Sequence, residues 1–417
     1  MKNGWQKLQL SECLQFISRG KAPKYVPTSS VAALNQKAIR WDYIETQYLK
    51  YHDPDVKIRE DIFIRKGDIV VNSTGDITIG RAYYFKKEWP KLFVDSHVTI
   101  LRLRKDILLP EFLIYLFPLP EYQKQIYSLV TGATGQLELS KSNLSKLEVI
   151  VPPIPTQRKI ALILFAYDDL IENNTRRIKI LEEMAQTIYR EWFVEFRALG
   201  VELRKATPEE KKLTGKDVFP KGWDVKSVVD AVFVCPKTTV PKDGLKPFVP
   251  MASLTDNSML INDIQFKEGN GGSKFKNGDT LFARITPCLE NGKTGFVQFL
   301  KSDSEVAFGS TEFMVLRSRT LTPEYVYLMA RSNEFRDNAI KSMSGATGRQ
   351  RVQEDCFQKF FIAQPDNNTL QQFSDLIQPI FRMIYSLSTK NNNLRRTRNL
   401  LLPKLISGEI ELTLETT

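Results

Sequence analysis

The chain has 417 residues, 42% of them hydrophobic and 26% charged, with a formal net charge of +11. That is enough chain for two domains with cores of their own, and the excess of Lys and Arg points to a polyanionic partner. Two histidines, four scattered cysteines without a CxxC pair, no signal-peptide pattern and no apolar run longer than residues 160–166 exclude a zinc site, a disulfide framework and a membrane span, and fit a reducing cytoplasm.

In chain order, Gly4-Trp5 opens a region of mixed helix and strand. Lys66-Gly67-Asp68 reads as a turn feeding the β-rich run Ile69-Val70-Val71, and His97-Val98-Thr99-Ile100-Leu101 reads as a second strand. Pro110 suits the first position of a short helix, where a missing N–H costs nothing. Thr131-Gly132-Ala133-Thr134-Gly135 follows, and Pro152-Pro153-Ile154-Pro155 closes the region with a stiff extended segment.

Residues 156–196 contain neither Pro nor Gly. Ile160, Leu164, Tyr167, Ile171, Asn174, Ile178, Leu181, Ala185, Ile188 and Trp192 step by four and three, the heptad seam of a coiled coil. A helix of about 40 residues extends roughly 60 Å.

The sequence then repeats itself at a shift of roughly 210–220 residues. Gly222-Trp223, Asn277-Gly278-Asp279-Thr280-Leu281, Thr322-Pro323-Glu324-Tyr325 and Ser344-Gly345-Ala346-Thr347-Gly348 recur in the order of their first-half counterparts, and Phe313-Met314-Val315-Leu316 reads as a short β-rich run. The period is too long for a solenoid, so one domain plus one helix is written twice. A second helical rhythm follows: Phe373, Leu376, Ile380, Met383, Leu387, Leu394 and Leu401. Pro379 should start or kink this helix, and Lys390 and Thr397 occupy seam positions. Asn174 in one seam and Asn391-Asn392-Asn393 in the other helix suggest that the two helices pair, because a buried Asn fixes register. The basic stretch 386–408 and Glu172, Glu182, Glu183 and Glu191 offer complementary charge. Antiparallel pairing would place the two mixed domains at opposite ends of a rod.

A search for catalytic machinery is unproductive. The Pro152-Pro153 pair lacks the polar and aromatic neighbours of an amino-methyltransferase loop, and Gly292-Lys293-Thr294 lacks the earlier glycine of a P-loop. Neither His52 nor His97 has a counterpart in the other repeat.

The chain resembles the specificity subunits of type I restriction–modification systems. The resemblance rests on residues 151–160 (VPPIPTQRKI), on residues 181–189 (LEEMAQTIY) followed by Trp192-Phe193, and on residues 400–410 (LLLPKLISGEI). Ala363-Gln364-Pro365-Asp366 departs from the double-proline pattern, so the second domain exit should differ. The resemblance implies an α+β fold: two mixed α/β target-recognition domains separated by two long helices that form an antiparallel coiled coil, with a pseudo-twofold internal repeat. The expected boundaries are residues 1–154 for the first domain, 155–199 for the central helical region, 200–365 for the second domain and 366–412 for the C-terminal helical region. It also implies a noncatalytic chain that reads a bipartite, asymmetric site on double-stranded DNA. The implied partners are modification subunits, two of them, and restriction subunits, with no membrane. S-adenosylmethionine, ATP and Mg belong to those partners, and no cofactor or metal to this chain. Removing one heptad of helix would shorten the rod by roughly 10 Å, about three base-pair steps. The competing readings are a divergent DNA-modifying or DNA-cleaving enzyme acting alone, and an adaptor for acidic proteins.

Phosphate positioning and base reading call for different side chains. In the first domain the candidates are Arg19, Lys21, Lys24, Tyr25, Arg81, Thr134, Gln136 and Lys141. In the second they are Lys237, Lys242, Lys274, Lys276, Arg284, Lys293, Arg349, Gln350 and Arg351. Gln136, Arg349, Gln350 and Arg351 are the candidates for direct readout, because Arg and Gln bond base edges bidentately. Helix pairing or partner docking falls to Asn174, Leu181, Met184, Ile188, Tyr189, Trp192, Leu394, Leu401 and Leu405.

Overall fold

The computed structural model describes residues 4–132, 137–197, 200–346, 348–410 and 412. It divides into two compact units, Met1–Leu170 with Leu394–Thr417, and Ile171–Asn393.

Unit 1 begins with β1 (Gln6–Gln9) and β2 (Leu14–Arg19), followed by β3 (Tyr25–Val26), β4 (Val31–Leu34) and β5 (Lys50–His52). Then come β6 (Ile69–Asn72), β7 (Ala82–Tyr84), β8 (Leu92–Val94), β9 (Val98–Leu103) and β10 (Glu148–Val151). β2-β9-β6-β7 form an antiparallel sheet, with Ile69 opposite Leu101. β3-β5-β4-β8 form a second sheet in which β4 and β8 run parallel. The first strand closes on the last, β1 on β10.

Unit 2 repeats this plan. It contains β11 (Leu203–Lys205), β12 (Val218–Pro220), β13 (Asp224–Ser227), β14 (Val232–Val234), β15 (Lys246–Val249), β16 (Gln265–Lys267) and β17 (Ser273–Phe275). β18 (Thr280–Ala283), β19 (Thr294–Phe296), β20 (Ala307–Gly309), β21 (Phe313–Ser318) and β22 (Phe361–Gln364) follow. β14-β21-β18-β19 reproduces the first antiparallel sheet, β15 and β20 run parallel in the order β16-β15-β20-β17, and β13 closes on β22. The extra strand β17 pairs with β20 where unit 1 has only the isolated bridge Phe63–Phe93 on β8.

The repeated Gly-Asp motifs have one physical job. Gly67 and Gly278 sit at positive φ, and their N–H groups donate to Phe85 and Val297 across the sheet. The following carboxylates, Asp68 and Asp279, are buried. Each accepts a backbone N–H three residues back, from Arg65 and Lys276, at 2.8 Å. Each also pairs with an arginine of the neighbouring strand: Arg102 Nε at 2.9 Å and Arg317 Nε at 2.7 Å. The prolines anticipated at helix starts are there, opening the helices Pro110–Leu113 and Pro323–Arg331.

The central helix, Ile154–Tyr189, begins in unit 1 and ends in unit 2, and the C-terminal helix, Asn367–Ile406, runs from unit 2 into unit 1. Gln157 anchors the first: its amide accepts from the Leu109 N–H at 2.8 Å and donates to the carbonyls of Ile107 and Pro152. The second domain exit does differ. There Asp366 caps the helix through the Thr369 N–H at 2.9 Å and accepts from the Trp223 indole at 3.1 Å.

Within unit 2 the helices run antiparallel, Asn174 meeting Asn391 while Trp192 meets Phe373. Ile171, Asn174, Ile178 and Ala185 of the anticipated seam are buried and Leu181 is half-buried, while Met184, a candidate for pairing or docking, is exposed. Toward its end the seam slips by one residue. Tyr189 and Phe193 are the buried rings, while Ile188 and Trp192 are half-buried. The slip is in place at Tyr189, and a π-helical segment, Arg190–Val194, follows it. Phe193 then packs on Tyr325 and Phe373 at ring-centroid distances of 4.6 and 4.7 Å.

Three expectations for the helices need correction. The C-terminal helix does not start at Pro379 but passes through it, with the proline on the solvent side. Its buried seam in unit 2 runs through Leu370, Phe373, Ile377, Phe381, Ile384, Leu387 and Asn391, so Leu376, Met383 and Lys390 face outward. The four glutamates do not supply the interhelical charge. Glu172 and Glu183 pair within their own helix, Glu191 pairs with Arg197, and Glu182 accepts from Ser258 and the Met259 N–H. In unit 1 that role falls to Asp168, which pairs with Arg398 and accepts from the Tyr115 hydroxyl at 2.5 Å. Around it Ile160, Leu164, Leu402 and Leu405 share one core, with Leu401 against it, and Leu394 is half-buried.

Candidate nucleic-acid interface

Each unit carries a loop beyond the end of its central strand. In unit 1 the loop joins β6 to β7; the Asn72 N–H donates to the Arg81 carbonyl at 2.8 Å to close its neck. In unit 2 it joins β18 to β19, closed by the Ala283 N–H on Lys293 at 3.2 Å. Arg81 and Lys293 are therefore structural equivalents.

The residues that flank the two Gly-Ala-Thr-Gly segments reach these loops, while residues 133–136 and 347 lie outside the described residues. Glu138 bridges Thr131 and Thr74 in unit 1, and Arg351 bridges Ser344 and Ile285 in unit 2. Through these bridges Thr131 and Glu138 lie beside the unit 1 loop, and Ser344 and Arg351 beside the unit 2 loop. The two pivots carry opposite charge. Glu138 pairs with Arg19, which also donates to the Ser73 carbonyl at 3.4 Å. Arg351 is held by Glu312 through Nε at 2.9 Å and Nη2 at 2.6 Å, and Glu312 is drawn below the usual carboxylate range by that guanidinium.

Several predicted residues meet here: Arg19 and Arg81 in unit 1, and Arg284, Lys293, Arg349, Gln350 and Arg351 in unit 2. Arg284 donates to the Val352 carbonyl at 3.2 Å and pairs with Glu354 at 3.4 Å. Lys293 reaches the Met251 carbonyl at 3.5 Å. The Gln350 N–H donates to Thr286 Oγ1 at 3.1 Å, which fixes the backbone and leaves its amide side chain for other use. Arg349 is exposed and, among the described residues, has no ion pair. Thr134 and Gln136 lie outside the described residues.

Others lie elsewhere. Lys276 precedes β18 and Arg284 follows it, so the two sit at opposite ends of that strand. Lys274 is on β17 and turns to the Gly272 carbonyl at 3.2 Å. Lys24 pairs with Asp53 at 2.9 Å, beside the exposed Tyr25 on β3. Lys21 donates its N–H to the Val94 carbonyl, Lys141 starts a short helix capped by Ser140, and Lys237 and Lys242 are exposed on the segment between β14 and β15.

Sequence reasoning missed Arg40, Arg331 and Arg336. Arg331 and Arg336 donate to the carbonyls of Gly292 and Glu290 at 3.1 Å, bracing the unit 2 loop from behind. Burial, with Arg331 nearby, lowers the pKa of Arg336 from its ordinary value, and burial with Arg40 nearby does the same to Arg81. These arginines stand on helices or in turns without any local signature, so the sequence gives no cue to them. Among the described residues no three His, Cys, Asp or Glu side chains cluster as metal ligands, and no helix is long and apolar enough to cross a membrane.

Two units of one topology thus carry equivalent loops with different side chains at matching positions. Residues 2–183 match the family described as the type I restriction modification DNA specificity domain. The chain is 28% identical over 320 residues to the type I restriction enzyme MjaIX specificity subunit of Methanocaldococcus jannaschii, covering 73% of this chain and 70% of that one. It is 24% identical to the HindI specificity subunit of Haemophilus influenzae, covering 97% of this chain and 99% of the relative. Its fold matches the crystal structure of a type I restriction–modification system S subunit from M. genitalium with a TM-score of 0.56 at 14% identity, covering 99% of this chain and 98% of that one. Sequence and fold thus bear out the resemblance to type I specificity subunits, and they favour DNA recognition over an enzyme acting alone.

Proposed function

We propose that this chain is the noncatalytic specificity subunit of a type I restriction–modification complex. It reads a bipartite, asymmetric DNA site, one half per unit, and makes or breaks no bond itself. Two modification subunits dock on the helices and bring S-adenosylmethionine to methylate adenine, and restriction subunits bring ATP and Mg.

One observation carries this reading. The buried frames are the same, Asp68–Arg102 and Asp279–Arg317 in sheets of one topology, whereas the equivalent surface pivots, Glu138 and Arg351, differ in charge. A shared scaffold with divergent tips suits two unlike half-sites, since tips read bases and scaffolds do not. The basic balance supplies the nonspecific attraction that such a reader needs.

The test is to incubate the purified chain with DNA, Mg²⁺ and S-adenosylmethionine, alone and with its modification subunits. Methylation should require those subunits and fall on adenines of a two-part motif. Methylation or cleavage by the chain alone would overturn the proposal.

A further inference from the structure

The β6–β7 loop of unit 1 ends in an apolar tip. Ile77 is 87% exposed, flanked by Asp76 and Thr78. Solvent offers an isoleucine nothing at such a position, and a loose loop would fold it away. This loop is tightly tied. The Thr78 and Ile79 N–H groups both donate to the Gly75 carbonyl, at 3.2 and 2.9 Å, and the Gly80 N–H donates to Asn72 at 2.8 Å. The Tyr127 hydroxyl holds the Asp76 carbonyl at 3.2 Å, and Thr74 Oγ1 bonds the Gln36 amide. Gly75 and Gly80 stand at φ +91° and +80°; a Cβ at Gly80 would come within 2.8 Å of Ile126. The tip is thus preorganised.

Cationic and aromatic side chains stand beside it, Arg40 being paired with Glu45 at 2.5 Å. Arg81 closes the loop and donates to the Ile39 carbonyl at 3.2 Å, with Arg40 next in sequence to that carbonyl, and Tyr43 and Tyr127 are exposed. The equivalent loop of unit 2 carries Pro287, Cys288 and Glu290 and, among the described residues, no exposed large apolar side chain. The tip is therefore a feature of one reader and not of the shared scaffold.

We propose that Ile77 is a specificity-determining residue that reads the 5-methyl group of a thymine in the half-site of unit 1. The inference rests on the DNA-reading function above. Thymine alone among the four bases presents a methyl group in the major groove, and an apolar side chain is its natural partner. Arg81 would hold the neighbouring phosphate and set the depth of the tip, positioning without reading.

The experiment uses the chain assembled with its modification subunits. Methylated adenines are first mapped genome-wide to define the motif. Absence of any motif dependent on the chain would sink the DNA-specificity reading itself, and the Ile77 proposal with it. With the motif in hand, duplexes carrying deoxyuridine in place of each thymidine of the unit 1 half-site are compared by competition binding. The wild-type complex should lose roughly fourfold in affinity at one such position, the worth of one buried methyl-sized group. Ile77→Ser should be indifferent to that replacement, and Ile77→Val should retain most of the discrimination. Circular dichroism should be unchanged, since the side chain touches no core. Indifference of the wild type to deoxyuridine at every thymine, or full retention of the effect by Ile77→Ser, would overturn the assignment.

Discussion

Asn174 of the central helix donates its side-chain amide to Asn391 Oδ1 of the C-terminal helix at 2.9 Å, both residues being buried. Asn391 uses its own amide on the Ile171 carbonyl at 3.3 Å and on Thr175 Oγ1 at 3.2 Å. The pair is a polar lock in an apolar seam, and it fixes which residues of the two helices meet.

Replacing Asn174 by Ala leaves the Asn391 oxygen buried without a donor. The expected loss is about 1–3 kcal/mol of unfolding free energy. Replacing both by Leu should recover most of it, because no polar group then stays unpaired. Urea unfolding of the three chains checks this; an unchanged midpoint for Asn174→Ala would show that water reaches the site.

Asp68 and Asp279 make a matched pair of tests. Burial pushes the Asp68 carboxyl above its ordinary value, while Arg102 and the Arg65 N–H pull it back down. Asp68→Ala leaves the mostly buried Arg102 with the Asp61 and Phe63 carbonyls but no counter-charge, and Asp279→Ala leaves Arg317 with Thr238 but no counter-charge. Each should cost about 3–5 kcal/mol. Limited proteolysis should locate the damage in the unit that carries the change.

The repeat was legible in Gly67-Asp68 and Gly278-Asp279 because a positive-φ turn answers to backbone geometry, which acts locally. Asn174 was legible because a polar residue interrupts a regular apolar rhythm. The seam of the second helix was misread because Leu376 and Met383 are apolar yet face outward, and because a helix tolerates Pro379 where the freed carbonyl faces water. The π-turn after Tyr189 has no sequence mark. The candidate interface was only half legible for a different reason. Arg19 and Arg351 read as free cations in one dimension, but their neutralising partners, Glu138 and Glu312, lie 119 and 39 residues away.

Asp95 gives a pH signature to unit 1. It is buried and its pKa is raised from 3.8 to about 6 by desolvation, against the opposing pull of the His97 N–H and of Arg19. The folded chain therefore keeps a proton that the unfolded chain releases between about pH 4 and 6. The stability contributed by this group is greatest below that window and is lost as pH rises through it. Asp95→Asn should flatten that dependence, because Asn still accepts the His97 N–H without a charge to bury. Denaturation midpoints measured at several pH values across the window check it; an unaltered slope would count against it.

The most direct measurement maps methylated adenines in cells carrying the complete complex with wild-type chain, and with Arg349 and Gln350 both changed to Ala. Unit-by-unit reading predicts a two-part motif in which the double substitution relaxes one half and leaves the other intact. A single continuous motif, or a change that degrades both halves together, would contradict it.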